Sequence, residues 1–456
     1  ILGLSVYHGD CSAAGVAGGQ LRAAVEEERF ARIKHIAGFP HHALQYVYQQ
    51  TTSGVPEDIR CIAVARQPNA HMWRKVALAL PRPQLWKHSI RRLENGRQIR
   101  SLESLIRKSI GLGSASRIRV YCVEHHLAHI ASSFFCSPYD DAACLTVDGF
   151  GDFTSTMVAQ GTGNTIRVLD RVYFPHSLGL FYTAITQFLG FPSYGDEYKM
   201  MGLAAYGQPS MVGDLEKLVL PHGRGLFRLN QRYFRILSGN VKMTWNDGAP
   251  VLGEVFSPAL NELLGTPPRR RDEEITQWHK DLAASAQVVY EKYFFRLVND
   301  VLQRTGQKKL VLAGGCALNS VANGKLFEET PVEEIYIQPA AHDGGTSLGA
   351  ALYVQHAIIG KPREFVMEHA YWGPQPTDEE IDDALRTRLP RYGGDKKDVA
   401  DGIELVEAGS NEELVDDTAD AIAKGADVGW YQGRSEWGPR ALGNRSIVCD
   451  PRRGDM

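Results

Sequence analysis

The sequence predicts an α/β protein whose larger part contains a duplicated nucleotide-binding unit. Three observations lead to this fold class. The chain of 456 residues is too long for one ordinary domain, because a domain typically holds about 100–200 residues. A strand–turn–strand pattern near the start recurs later in the chain, and a buried strand runs into a pair of glycines. We therefore expect two or three compact units.

The first strand–turn–strand pattern occupies residues 1–20. An apolar run is followed by a Gly-Asp turn and a second apolar run, which is the signature of a β-hairpin. Residues 143–161 repeat the pattern, since Gly9, Asp10, Ser12, Val16, Ala17 and Gly19 match Gly151, Asp152, Thr154, Val158, Ala159 and Gly161. Glycine lets a backbone approach a phosphate and a hydroxyl can donate to it, so Ser12 and Gly151 are candidate nucleotide ligands. Two unrelated surface hairpins are the alternative, because Gly-Asp turns are common.

A third glycine segment supports the same interpretation. The apolar strand at residues 309–313 leads into Gly314 and Gly315, and a helix is predicted through Val321 to Phe327. Free N–H groups at a helix N-terminus bind phosphate or ribose, although a tight packing turn has the same pattern. The sequence therefore favours an ATP cleft between two related lobes.

Two further segments define the organisation of the chain. Asp272 to Gln303 predicts one long helix that stops at Gly306, because apolar residues recur on one face. From about residue 366, prolines and the Gly-Gly-Asp-Lys-Lys tract at 393–397 predict a linker and a new unit. We therefore divide the chain into residues 1–365 and 366–456.

Composition excludes several classes of protein. A formal net charge of −3 gives no uniform positive field for nucleic-acid binding. The seven cysteines are scattered, with no Cys-x-x-Cys spacing, so neither a disulfide framework nor a thiolate zinc site is expected. No uncharged run reaches the roughly 18 residues that a membrane span needs. We expect a cytoplasmic protein without a membrane partner, and a homodimer is compatible with the sequence.

A histidine pair and two aspartates form a candidate metal site. His125 and His129 are four residues apart in a helix-compatible stretch, which puts both imidazoles on one helical face. Asp148 ends a predicted strand and Asp343 begins a glycine turn. Two imidazoles and two carboxylates suit Fe(II) best, and otherwise Mn(II), Zn(II) or Mg(II). The alternatives are ordinary packing for the histidines and helix capping for the aspartates.

The segment from Trp430 to Ile447 contains three arginines separated by glycines and a proline. We expect no regular structure here. Guanidinium groups bind phosphate oxygens in pairs, so the segment is predicted to be a phosphate-binding loop. A solvated charged turn is the alternative, but Trp430, Tyr431 and Trp437 are costly to expose.

Five blocks of sequence resemble the O-carbamoyltransferase family, which includes nodulation-factor and antibiotic-tailoring enzymes. The resemblance covers nearly the whole chain in order. The blocks lie at residues 25–35 (VEEERFARIKH), 124–129 (EHHLAH), 199–207 (KMMGLAAYG), 314–319 (GGCALN) and 433–446 (GRSEWGPRALGNRS).

The resemblance implies an actin/hexokinase-like (ASKHA) duplicated N-terminal domain, related to the tRNA threonylcarbamoyl transferase subunit, and a YrdC-like C-terminal domain. The second domain would form carbamoyl adenylate from carbamoyl phosphate and ATP, releasing pyrophosphate. The first would pass the carbamoyl group to a hydroxyl of a small molecule. By this resemblance the metal ligands are again the four residues given above. The nucleotide and phosphate ligands would be Lys199, Gly314, Gly315, Asn319, Arg434, Arg440, Arg445 and Ser446.

Two departures from the family pattern concern the base and the length. Asp10 or His8 is the candidate catalytic base, but this chain has His8-Gly9-Asp10 where much of the family has His directly before Asp. A carboxylate near a cation is a weak base, so a metal would contribute to activation. The chain also ends ten residues after Ser446, where the family's second domain continues. We therefore expect a fragment of a longer protein.

Three rival functions remain open at the level of sequence. They are a tRNA threonylcarbamoyl transferase, an actin-like small-molecule kinase and a non-catalytic nucleotide-binding scaffold. A kinase would release ADP, whereas the favoured reaction releases AMP and pyrophosphate. Acceptor specificity is expected in residues 67–117 and 208–270, because they lie outside the recognisable blocks.

Overall fold

A computed structural model describes residues 1–52, 59–83, 102–112, 118–238, 241, 243–244, 248–388, 406 and 408–454. Its internal contacts divide the chain into two units, Ile1–Glu368 and His369–Met456. The division falls three residues after the boundary expected from the sequence. The tract at 393–397 and parts of the proposed acceptor segments lie outside the described residues.

The first unit begins with a five-stranded mixed sheet. Its strands are β1 (Leu2–Ser5), β2 (Ser12–Ala17), β3 (Gln20–Glu26), β4 (Cys61–Val64) and β5 (Arg119–Cys122). The order across the sheet is β3-β2-β1-β4-β5. The strands β1, β2 and β3 pair antiparallel, whereas β4 is parallel to both β1 and β5. The predicted hairpin at the start of the chain is therefore present as β1 and β2.

A second sheet of the first unit has the same plan. Its strands are β6 (Asp141–Gly151), β7 (Thr154–Thr162), β8 (Thr165–Tyr173), β13 (Lys309–Ala313) and β14 (Glu334–Ile337). The order is β14-β13-β6-β7-β8, with antiparallel pairs among β6, β7 and β8 and parallel pairs to β13 and β14. The two sheets thus share strand order and direction, and the fold is mixed α/β as predicted.

Three short two-stranded pairs complete the described sheets: β9 (Val219–His222) with β10 (Leu226–Leu229), β11 (Met243–Thr244) with β12 (Val251–Leu252), and β15 (Val428–Tyr431) with β16 (Arg445–Val448).

The repeat seen in the sequence corresponds to equivalent turns in the two sheets. Asp10 and Asp152 both have positive φ, at 55° and 48°, a conformation that short polar side chains tolerate better than most. Ser12 begins β2 and Thr154 begins β7. The shared turn chemistry therefore gives each half of the unit a carboxylate at the same position of its first hairpin.

Two helices lie between the sheets. The helix α13 packs on β1, β2 and β4, α5 packs on β6 and β13, and the two helices pack on each other. On the outer faces, α2 packs on β2 and β3, and α10 packs on β6 and β7. The described helices are α1 (Glu28–Ala31), α2 (His41–Thr52), α3 (Met72–Ala79), α4 (which includes residues 102–109), α5 (His125–Phe134), α6 (Leu178–Phe188), α7 (Glu197–Ala204), α8 (Val212–Leu215), α9 (Pro258–Leu264), α10 (Gln277–Thr305), α11 (Ser320–Gly324), α12 (Leu326–Glu329), α13 (Thr346–Tyr353), α14 (Asp378–Arg388) and α15 (Asn411–Ala423). No helix among them is both long and apolar enough to span a bilayer.

Two predicted helices differ from the structure in extent. The long helix α10 starts at Gln277 rather than Asp272, because Thr276 and His279 form a capping box there. It ends at Gly306, which has a φ of 67°, as predicted. The helix expected through Phe327 is divided into a 3₁₀ turn at Gly315–Leu318, α11 and α12. Gly324 ends α11, since glycine weakens a helix interior.

The second unit contains α14, α15 and the hairpin of β15 and β16. The expectation that Trp430 to Ile447 has no regular structure is wrong at both ends, because Trp430 and Tyr431 pair with Ser446 and Arg445 in this hairpin. Aromatic and β-branched residues at the ends favour strand pairing. Only the segment between the strands is irregular.

Candidate metal centre

The structure brings the four predicted metal ligands together. One ligand atom from each of His125, His129, Asp148 and Asp343 lies within 4.8 Å of all the others. The two histidine Nε2 atoms are 3.1 Å apart. They lie 3.3 and 3.5 Å from Asp343 Oδ1, and 3.6 and 3.9 Å from Asp148 Oδ2. All four residues are buried between the two sheets.

The donor set fits a divalent cation. Metal–ligand bonds to imidazole nitrogen and carboxylate oxygen are about 2.0–2.2 Å long, so ligand atoms 3–4 Å apart are spaced as they are around one ion. Burial opposes ionisation, but the hydrogen bond from His125 lowers the pKa of Asp148 to about 2, and His125 likewise holds the pKa of Asp343 well below its usual value. Both carboxylates are therefore ionised, as metal binding requires.

The two imidazoles differ in proton affinity. Burial lowers the pKa of His125, but Asp343 and Asp148 outweigh it and raise the value to about 10. Burial lowers the pKa of His129, and the hydrogen bond with Asp343 does not offset it, so the value stays below the usual one. His125 is therefore the stronger base of the two imidazoles. His126 does not belong to the cluster, because its Nδ1 lies 2.6 Å from the hydroxyl of Thr146.

Asp152 fixes the start of the helix that carries the histidines. Its Oδ2 accepts the main-chain N–H of His125 at 3.0 Å and that of Gln67 at 2.7 Å. The helix α5 begins at His125, and its N-cap residue Glu124 makes no side-chain capping bond. Asp152 thus supplies the missing cap. Sequence reasoning noted Asp152 only as the counterpart of Asp10, and that equivalence was the available signal.

Gly151 makes room for the His125 ring. A β-carbon at position 151 would lie 1.9 Å from Cδ2 of His125, which no side chain could occupy without moving the imidazole. The Nδ1 atoms of His125 and His129 have no hydrogen-bond partner among the described residues, so packing of this kind orients the His125 ring. The nucleotide-binding role of Gly151 stays a prediction.

The Gly-Gly segment orients a metal ligand. The main-chain N–H of Gly315 donates to Asp148 Oδ1 at 2.9 Å, leaving Oδ2 to face the histidines. We expected Asp148 to end its strand, but β6 continues to Gly151. Asp148 lies in an irregularity of this strand between Val147 and Gly151. Such bulges redirect side chains toward functional sites.

Several predicted nucleotide ligands have structural partners. The Asn319 side chain accepts the N–H of Ala322 and exchanges two 3.0 Å hydrogen bonds with Gln287. Ser12 donates to the carbonyl of Gly344 at 2.7 Å, and Lys199 pairs with Asp196 at 2.6 Å. Gly314 has a φ of 91°. The nucleotide roles of Ser12, Lys199, Gly314, Gly315 and Asn319 therefore stay predictions.

The candidate base His8 contacts the metal cluster, whereas Asp10 lies against two histidines outside it. The His8 ring stacks on His125 at 4.6 Å, and its Nδ1 is 3.6 Å from Asp343 Oδ2. Asp10 Oδ1 is 2.8 Å from His35 Nδ1 and 3.7 Å from His342 Nε2. Sequence reasoning did not single out His35 or His342, because neither is near Asp10 in the chain.

In the second unit, two of the three predicted phosphate-binding arginines donate to main-chain carbonyls. Arg434 donates to Gly373 and Trp372, and Arg445 donates to Gly433 and Asn444. Arg440 is exposed, and the Ser446 hydroxyl accepts the N–H of Gly443 at 3.1 Å. Trp437 is fully buried and Trp430 is partly exposed, but Tyr431 is 58% exposed, so the cost of exposing aromatic residues does not argue against a solvated turn at Tyr431. The phosphate roles stay predictions.

Glu436 organises the arginine segment and was missed from the sequence. Its Oε1 accepts the main-chain N–H groups of Leu442, Asn444 and Arg445 at 2.9–3.1 Å. Burial opposes ionisation, but these hydrogen bonds hold the pKa of Glu436 below its usual value. An acidic residue among arginines was the only sequence signal.

The fold and the cluster define a mixed α/β protein with a candidate divalent-metal centre between two sheets of the same plan. Residues 1–352 match the family model for the carbamoyltransferase N-terminus, and residues 419–456 match that for the carbamoyltransferase C-terminus. The chain therefore belongs to the carbamoyltransferase family, which confirms the resemblance seen in the sequence.

The chain is similar to several curated proteins. It is 38% identical to the uncharacterized protein sll1178 of Synechocystis over 100% of this chain and 72% of that protein. It is 36% identical to nodulation protein NolNO of Sinorhizobium fredii over 97% of this chain and 58% of NolNO. A 3'-hydroxymethylcephem-O-carbamoyltransferase of Amycolatopsis lactamdurans is 29% identical over 31% of this chain and 23% of the enzyme. The chain thus spans only part of each relative.

Among solved structures, HypF of T. kodakarensis aligns with a TM-score of 0.37 and 13% identity, covering 77% of this chain and 46% of HypF. A similarity at this level indicates neither a detailed fold nor a function.

Proposed function

We propose that this chain is part of an O-carbamoyltransferase that uses carbamoyl phosphate and ATP to carbamoylate a hydroxyl of a small molecule. The observation that carries the proposal is the buried cluster of His125, His129, Asp148 and Asp343, whose ligand atoms lie within 4.8 Å of one another. Family membership supports the carbamoyl chemistry, and the cephem relative acts, by its name, on a hydroxymethyl group. The acceptor class would be a sugar, an antibiotic or another secondary metabolite.

The domain roles follow from the same proposal. The first unit would be the actin/hexokinase-like transfer domain, supported by two sheets of identical order. Residues 369–456 would belong to a YrdC-like domain that forms the adenylate, supported by the C-terminal family match. There carbamoyl phosphate would lose its phosphate to water, and the resulting carbamate oxygen would attack the α-phosphorus of ATP. Carbamoyl adenylate, pyrophosphate and inorganic phosphate would be the products.

In the transfer step, the acceptor oxygen would attack the carbamoyl carbon and the bond from that carbon to the AMP oxygen would break. A divalent ion held by the four clustered residues, with Fe(II) as first candidate, would polarise the carbamoyl carbonyl when bound. Asp10 would take the hydroxyl proton, and AMP would leave with the displaced oxygen. Gly315 would keep Asp148 oriented through the hydrogen bond to its Oδ1.

The test is a product analysis with the full-length protein, ATP, carbamoyl phosphate and a panel of alcohols. We expect an acceptor heavier by one carbamoyl group, together with AMP and pyrophosphate. Asp343→Asn should abolish acceptor carbamoylation, whereas His222→Asn, at an exposed position of β9, should not. ADP with a phosphorylated acceptor would instead support the actin-like kinase. If carbamoyl phosphate caused no turnover of ATP, the result would support a non-catalytic scaffold.

A further inference from the structure

Asp10 is held by His35 through both its main chain and its side chain. His35 Nδ1 lies 2.8 Å from Asp10 Oδ1, and the main-chain N–H of Asp10 donates to the carbonyl of His35 at 3.4 Å. His342 Nε2 approaches the same Oδ1 at 3.7 Å. Within the described part of the chain, no hydrogen bond reaches the other oxygen, Oδ2. The carboxylate therefore has one oxygen engaged and one available.

The His35 ring is itself fixed on its other sides. Its main-chain N–H donates to Glu28 Oε2 at 2.8 Å, and its ring meets the edge of Tyr194 at 5.5 Å and 81°. A β-carbon at Gly195 would lie 2.2 Å from His35 Nε2, so the chain passes directly over that atom. The imidazole can neither rotate nor withdraw from Asp10 without moving this loop.

Tyr194 also explains the glycine between His8 and Asp10. A β-carbon at Gly9 would lie 2.8 Å from the Tyr194 hydroxyl and 2.9 Å from its ring. The tyrosine therefore covers both Gly9 and His35 on one side of Asp10. Since Nε2 of His35 is enclosed, the imidazole is placed to hold the carboxylate rather than to meet a substrate.

We propose that His35 is a positioning residue for Asp10, which locks Oδ1 so that Oδ2 faces the acceptor hydroxyl in the transfer step. The inference rests on the proposed carbamoyl transfer. In that step the proton passes from the hydroxyl to Asp10 Oδ2 while the new carbon–oxygen bond forms and AMP leaves. Loss of the lock lets the carboxylate rotate, and a misplacement of about 1 Å can reduce a rate by roughly 100-fold.

The experiment compares His35→Ala, His35→Asn and the control His42→Ala in the full-length protein. His42 forms another imidazole–carboxylate pair, with Glu27 at 2.6 Å, but its side chain is 62% exposed. We expect His35→Ala to lower kcat for acceptor carbamoylation by about 10- to 100-fold, with KM for ATP, metal content and pyrophosphate exchange unchanged. His35→Asn should recover part of the rate, because its amide can donate to Oδ1. His42→Ala should match wild type.

The outcomes separate the two proposals. Wild-type carbamoylation by His35→Ala would overturn the positioning role alone. Parallel loss of metal content and transfer rate in both His35 variants would also overturn it, since it would indicate a general structural role. If wild-type protein made no carbamoylated product from any alcohol, the proposed function itself would be wrong. Thermal unfolding of each variant identifies one that fails to fold, and His35→Asn then decides the question.

Discussion

The Nε2 atoms of His125 and His129 lie 3.1 Å apart across one turn of α5. At that separation they share either a proton or a cation. Two ionised carboxylates face them, one from β6 and one from the turn before α13. A divalent ion would balance both negative charges at a position from which water is largely excluded, which a single proton cannot do.

Replacement of His129 by Asn removes one of the four ligands. We expect affinity for Fe(II), Mn(II) or Zn(II) to fall by more than the roughly 10- to 100-fold typical of an outer-shell substitution. Metal content after anaerobic loading, measured by mass spectrometry of the element, checks this. His222→Asn should retain full metal content. Equal loading of both variants would contradict the assignment of the cluster.

Gly151→Ala tests whether the glycine serves the His125 ring. The added methyl group would lie 1.9 Å from the imidazole Cδ2, so either the ring or strand β6 must move. Overpacking of this kind costs about 1–3 kcal/mol of unfolding free energy. We expect lower stability in urea unfolding together with weaker metal binding. Gly149→Ala is the matched control, because a β-carbon there meets no atom within 4 Å, and equal effects of both substitutions would refute the steric explanation.

Glu436→Ala tests the organisation of the arginine segment. The substitution removes the acceptor of three main-chain N–H groups, and hydrogen bonds to a charged group contribute about 1.5–3 kcal/mol each. We expect faster amide hydrogen exchange at Leu442, Asn444 and Arg445, by at least about tenfold, since 1.4 kcal/mol corresponds to that factor. Asp417→Ala, on an exposed face of α15, should leave these amides unchanged. Unchanged exchange in Glu436→Ala would show that the segment is held by other contacts.

The parts of the fold that local signals specify could be predicted from the sequence. Gly-Asp turns between apolar runs predicted both hairpins. The spacing of four residues predicted that His125 and His129 share one face of a helix. Gly306 gave the end of α10 because a left-handed residue stops a helix. Each of these depends on neighbours within a few positions.

Partners that are distant in the chain could not be predicted. Gly315 and Asp148 are 167 residues apart, and no pattern in either segment indicates that the glycine amide binds the carboxylate. The same holds for His35 and Asp10, and for Gly151 and the His125 ring. The ends of the arginine segment were misassigned because the glycines and proline at its centre outweighed the strand-forming residues on either side.

The repeated turns at Asp10 and Asp152 have separate tasks in the two halves. Asp152 accepts main-chain N–H groups from Gln67 and His125, whereas Asp10 faces the imidazoles of His35 and His342. Asp152 thus has a structural task, whereas Asp10 is the candidate base. The two similar halves therefore use the same turn for different purposes, and in the proposed transfer step only the half that carries Asp10 would supply a base for the acceptor hydroxyl.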